Sequence, residues 1–156
     1  MRRTRARGFT VIEAMVVVGI IAIMAGFAAP AMNQLIRTQK IRSISYDLFG
    51  DLTYARSEAI SRGHNVSIAS KNGNDWVAGW TVRDVTLDVL LRDQGPRSSG
   101  VAFTADAGAL TFLPSGRTAA TMSFTIKPVE SAPDDQKRCI RITPSGRPNS
   151  TTGVCP

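Results

Sequence analysis

From Ala14 to Met32, nineteen consecutive residues carry no charge. Wound as an α-helix, the stretch is about 28 Å long at ~1.5 Å per residue, close to the ~30 Å hydrocarbon core of a bilayer. A chain of 156 residues that uses its first fifth in this way has room for one further domain, which excludes multidomain enzymes. Arg2, Arg3, Arg5 and Arg7 stand ahead of the stretch. Basic residues just before an apolar span stay cytoplasmic, so everything after Met32 is expected across the membrane. The net charge of +7 mixes this terminal cluster with the body of the chain, where fifteen basic residues face twelve acidic ones from Phe9 onward.

Three mature proteins fit such a start. Ala29-Pro30-Ala31 offers the small-x-small cleavage site of a secretory signal peptide, and an uncleaved signal anchor would keep the arginines. Neither accounts for Glu13, a carboxylate at the rim of an apolar run that would cost about 2.5–3.5 kcal/mol at the bilayer centre. The third reading comes from Gly8-Phe9-Thr10-Val11-Ile12-Glu13, with arginines before it and the apolar helix after it. This resembles the signature of type IV pilins and of the pseudopilins of type II secretion. The resemblance implies that a prepilin peptidase of the inner membrane cuts between Gly8 and Phe9 and methylates the new amino terminus. It also implies that Glu13 is the assembly residue and that Pro30 marks the family's helix kink. A cationic terminus on Phe9 of one subunit can pair with Glu13 of another, worth roughly 4 kcal/mol before desolvation at ~4 Å in an effective dielectric near 20. Gly19, Gly26 and the alanines at 22, 25, 28, 29 and 31 let helices approach closely, and Pro30 removes a backbone donor.

Past Met32 the helical pattern changes character. Ile41, Ile44, Leu48, Leu52, Ala55 and Ala59 recur at spacings of three and four, while Arg37, Lys40, Arg42, Asp47, Asp51, Arg56 and Glu58 take other positions. An apolar stripe of this kind needs a surface to lie on, and the helix should end near Gly63. Beyond it, strands are expected at 65–69, 76–82, 85–91, 101–105, 110–113, 122–126 and 139–143, separated by turn residues such as Asn72-Gly73-Asn74 and Gly95-Pro96. Trp76, Trp80, Phe103, Phe112 and Phe124 are the expected aromatic core of this antiparallel domain.

Pro114-Ser115-Gly116-Arg117 recurs as Pro144-Ser145-Gly146-Arg147, each copy shortly after an apolar strand. Proline, serine and glycine in that order set a tight bend with an arginine beside it, although two similar hairpins in any β domain would read the same. Paired turns ending in Gly-Arg resemble the H-type minor pseudopilins and the FimT/FimU-type minor pilins. The resemblance implies an α+β, type IV pilin-like fold, a long N-terminal helix on a small antiparallel β-sandwich. It divides the chain into a cleaved basic leader (1–8), a transmembrane and assembly helix (9–36), an amphipathic helix half (37–63) and a periplasmic β domain (64–156). The implied partners are prepilin peptidase, other minor and major pilins or pseudopilins, and the inner-membrane assembly platform. The implied role is to prime or cap a pilus or pseudopilus.

Cys139 and Cys155 are the only cysteines. Beyond a membrane an even count permits a disulfide that would stabilise by about 3 kcal/mol, with free thiols or a metal pair as alternatives. A zinc site lacks ligands, since the single histidine, His64, is far away in sequence. His64 has no evident nucleophile partner and no phosphate-binding glycine loop occurs, so neither catalysis nor a cofactor is expected. From Gln136 to Pro156 there are four basic residues, Lys137, Arg138, Arg141 and Arg147, and no acidic one. In some FimT-type minor pilins a basic C-terminal region with a Gly-Arg-x-Arg element binds DNA during natural transformation, which makes double-stranded DNA the alternative partner. Here the element reads Gly146-Arg147-Pro148-Asn149, without the second arginine.

Overall fold

The structure, a computed structural model, describes residues 8–97 and 100–156, and of residues 27–31 the backbone alone. One α-helix, α1, runs Val11–Arg62. Its stop is local: the Gly63 amide donates to the Ala59 carbonyl at 3.1 Å, and Gly63 has φ +67°, a left-handed conformation open to glycine at no steric cost. The chain divides into two compact units, one up to Ile36 and one covering Arg37–Pro156. In the first unit the large apolar side chains described, from Phe9 to Ile36, are all solvent-exposed. The expected span Ala14–Met32 and the expected kink at Pro30 lie partly or wholly among residues 27–31, whose side chains are outside the described set. Among the described residues no helix is long and apolar enough to cross a membrane.

The second unit holds the rest of α1 and eight strands: β1 Val66–Asn72, β2 Asp75–Asp84, β3 Val89–Gln94, β4 Val101–Ala105, β5 Ala109–Phe112, β6 Met122–Pro128, β7 Arg138–Ile142 and β8 Pro148–Thr152. They form two four-stranded sheets, ordered β3-β2-β1-β5 and β4-β6-β7-β8. Each pairing is antiparallel.

The apolar helix stripe is buried from Ile41 through Ala59, in one cluster with Trp76, Trp80, Phe112, Phe124 and the aliphatic residues of both sheets. Spacings of three and four put those six residues on a single helix face, and alternation puts Trp76, Trp80 and Val82 on a single strand face. Fully burying each leucine or isoleucine contributes about 1.5–3 kcal/mol over leaving it exposed. The sheets meet through Trp76 and Phe124, edge to face with ring centroids 4.7 Å apart. Phe103 is half-buried against the same core.

Three expectations need correction. The strand expected at 85–91 starts four residues later, because Asp84 bends the chain: its Oδ1 accepts from the amides of Thr86 and Leu87 at 3.0 and 3.1 Å. The strand β8 has no apolar alternation to announce it; it is an edge that pairs only with β7, and every residue after Pro148 in it is exposed. Asp51, expected off the apolar stripe of α1, is 1% exposed. Its carboxylate accepts from the Trp80 indole at 2.8 Å and from Arg92 at 2.6 Å, while the Arg92 guanidinium lies 4.2 Å from the Tyr54 ring centroid.

Candidate functional site

The start of α1 is built by its own sequence. Thr10 is its N-cap: its hydroxyl accepts from the Glu13 amide at 3.3 Å and its carbonyl from the Ala14 amide at 3.2 Å. Thr10-Val11-Ile12-Glu13 is the S/T-x-x-E pattern of a capping box, legible in the sequence and missed there because Glu13 was assigned only to assembly. An acidic residue in the first turn also complements the helix dipole. The expected processing residues Gly8 and Phe9 lie just ahead of this cap, exposed and outside any helix or strand. Among the described residues no side chain pairs with the Glu13 carboxylate, and Phe9, Val11, Ile12 and Met15 around it are each at least 70% exposed. The helix start is thus apolar and exposed, with a carboxylate that no described side chain pairs.

The C-terminal region is organised differently from the single basic tail expected. Lys137 is ion-paired with Asp134 at 2.9 Å, and Arg138 donates to the Thr152 hydroxyl. Arg141 is three positions further along β7, so it projects from the opposite face of the strand to Arg138. Arg147 stands in the turn before β8. Strand alternation therefore splits what reads as one cationic run. Cys139 and Cys155 form a disulfide that ties the tail to β7, and the Cys155 amide donates to the Thr125 hydroxyl at 3.1 Å.

The remaining ionisable cluster is structural. His64 Nδ1 lies 3.0 Å from the buried carboxylate of Asp84, with Arg62 at 4.0 Å, and no serine or cysteine joins them among the described residues. Burial pushes the Asp84 pKa up, but hydrogen bonds from His64 and from the Leu87 and Thr86 amides outweigh it and hold the group below its ordinary value. The hydrogen bond to Asp51 raises the Arg92 pKa against the opposing effect of burial. A cleft of about 350 Å³ lined by Arg37, Lys40, Ile41, Val101, Val129 and Glu130 is bridged by the Arg37–Glu130 ion pair. No group of three or more metal-ligating side chains occurs among the described residues.

Residues 46–146, covering the amphipathic helix half and the sheets as far as the second Gly-Arg turn, match the family described as type II transport protein GspH. The chain belongs to the GspH family. Residues 3–29 match the prokaryotic N-terminal methylation motif, which takes in Gly8, Phe9 and Glu13. The crystal structure of the type IV minor pilin FimU from Pseudomonas aeruginosa PAO1 is similar to this GspH-family chain over 76% of its length and 90% of FimU, with a TM-score of 0.62 and 25% identity. The minor pseudopilin EpsH from the type 2 secretion system of Vibrio cholerae is similar over 72% of the chain and 97% of EpsH, with a TM-score of 0.59. At 16% identity EpsH shows the shared fold. No curated protein sequence matches the chain. Fold and family thus agree on a minor pilin or pseudopilin, a structural subunit type, and none of these similarities points to DNA binding.

Proposed function

We propose that this chain is a minor subunit that primes or caps a type IV pilus or the related type II secretion pseudopilus. It is made as an inner-membrane precursor with its C-terminal unit in the periplasm. Prepilin peptidase cuts between Gly8 and Phe9, the new terminus is methylated, and the assembly platform passes the subunit into a filament with other pilins or pseudopilins. The observation that carries this reading is the methylation-motif match at the head of a GspH-family chain. The capped helix start supports it: a Glu13 that no described residue pairs, among exposed apolar residues, is what a neighbouring subunit's amino terminus would neutralise, relieving two unfavourable charges together.

The N-terminal peptide of the mature protein, read by mass spectrometry, tests this directly. It should begin at N-methylated Phe9; a peptide beginning at Met32, or one retaining the arginines, would overturn it. In the same cells Glu13→Leu should stay membrane-bound yet enter sheared filaments poorly. Normal incorporation would mean that the carboxylate is dispensable in this subunit.

A further inference from the structure

The two Pro-Ser-Gly-Arg segments form matching turns. Leu113 O accepts from the Gly116 amide and Thr143 O from the Gly146 amide, both at 2.8 Å, and the glycines have φ +72° and +73°. The turns are stacked: the Thr118 amide donates to Pro144 O at 3.2 Å and the Thr118 hydroxyl to Thr143 O at 3.1 Å. A Cβ on Gly146 would run into the Gly116 carbonyl and stand 3.3 Å from Arg117 Cα, and a Cβ on Gly116 would meet Ile60 Cδ1 at 2.5 Å. Arg56 of α1 closes the arrangement, its Nε donating to Gly116 O at 3.0 Å.

The stacked turn explains Gly146 and the helix explains Gly116, and both arginines are left unexplained. Arg117 and Arg147 are exposed, and neither they nor Arg56 form an ion pair with any described residue. Five other arginines of this unit are neutralised: Arg37 by Glu130, Arg62 by Glu58, Arg83 by Asp88, Arg92 by Asp51 and Arg97 by Asp47. Neither stretch 107–129 nor 136–156, which contribute the turns, contains an acidic residue. Three arginines from three separate segments thus flank the contact: Arg117 and Arg147 each follow one of the two touching glycines, and Arg56 reaches Gly116 O.

We propose that the stacked turns present a three-arginine dock, Arg56, Arg117 and Arg147, for a carboxylate-bearing segment of a neighbouring subunit, an inference that rests on the filament-subunit reading above. Charge complementarity selects the occupant. The guanidinium fork matches a carboxylate bidentately, so a pair of neighbouring Asp or Glu side chains is the fitting ligand. Nucleic acid fits less well. The arginines flank a single contact between two turns, and Trp76, Trp80, Phe112 and Phe124 are buried and offer no stacking platform for bases.

The test uses the full chain in detergent micelles, with a labelled oligoglutamate peptide and a short random-sequence DNA duplex as separate probes at low and physiological salt. Arg117→Gln and Arg147→Gln should each weaken oligoglutamate binding about threefold, and the double variant about tenfold, as for exposed charge pairs. Arg141→Gln, which removes another exposed cation on β7, should leave it unchanged. All four variants should keep the parent unfolding midpoint, because among the described residues these guanidinium groups form no ion pair. An equal loss with Arg141→Gln would reduce the dock to diffuse charge, and absence of oligoglutamate binding at low salt would remove it. Tighter binding of the duplex with the same dependence on Arg117 and Arg147 would replace it with a nucleic-acid surface. Binding in micelles does not need assembly. Its failure alongside correct processing at Phe9 sinks only the dock, whereas its success alongside absent processing sinks only the filament reading.

Discussion

Asp84 does three jobs with one carboxylate: it bends the chain after β2, holds His64 at the end of α1 and keeps a charge where solvent does not reach. Its native pKa lies below the unfolded value, so the native state favours the ionised form. A lowered carboxylate pKa contributes stability that is present above the unfolded value near ~4 and is lost as pH falls through the native value. The stability gap between the parent and Asp84→Asn should therefore be full at neutral pH and should narrow below about pH 4, as read by urea unfolding over a pH series. A gap that stays constant with pH would mean that Asp84 acts through shape and neutral hydrogen bonds alone. Asp51 shows why single residues of this kind escape a reading of the chain. It borders the apolar stripe, with Leu48 and Ala55 three and four positions away, but what binds its carboxylate is Trp80, 29 residues later, whose indole needs an acceptor.

At the scale of elements, the stacked turns bind the two sheets to the helix. A left-handed glycine costs something to replace anywhere, and at Gly146 the replacement also collides with the backbone of the other turn. Gly146→Ala should cost at least about 2 kcal/mol, combining a disfavoured φ with displacement of the Gly116 turn. Gly73→Ala, at φ +56° with nothing within 4 Å of its Cβ, should cost about 1 kcal/mol. Comparing their urea midpoints isolates the stacking; equal losses would mean that the turns are independent. The bend in each copy was legible from proline, serine and glycine. Their contact was not, because it joins residues thirty positions apart through a loop and two strands. The helix stripe was legible as far as Ala59, since its period is local and its burial follows from that period. The edge strand β8 was not, since an exposed edge needs no pattern beyond a partner to pair with.

For the whole molecule, the decisive fact is that every buried core residue described lies within Arg37–Pro156. A chain starting at Arg37 should be soluble and unfold in one step, with the fluorescence of Trp76 and Trp80 and the far-ultraviolet signal of the helix changing together. The full chain should need detergent, because the large apolar side chains described before Arg37 are exposed. Separate transitions in the shorter chain would show that the helix half is not part of the cooperative unit. By itself, the sequence determined the features carried by neighbours in the chain: the pilin-like head from Gly8 to Glu13, the capping pattern at Thr10, the helix stripe, most strands and the two bends. These follow from periodicity, backbone chemistry and charge order, all of which act over a few residues. Only the tertiary structure decided which charges are buried and that the two Gly-Arg turns stack on each other beside Arg56. Those outcomes depend on which strand pairs with which, and pairing is a property of the folded chain as a whole.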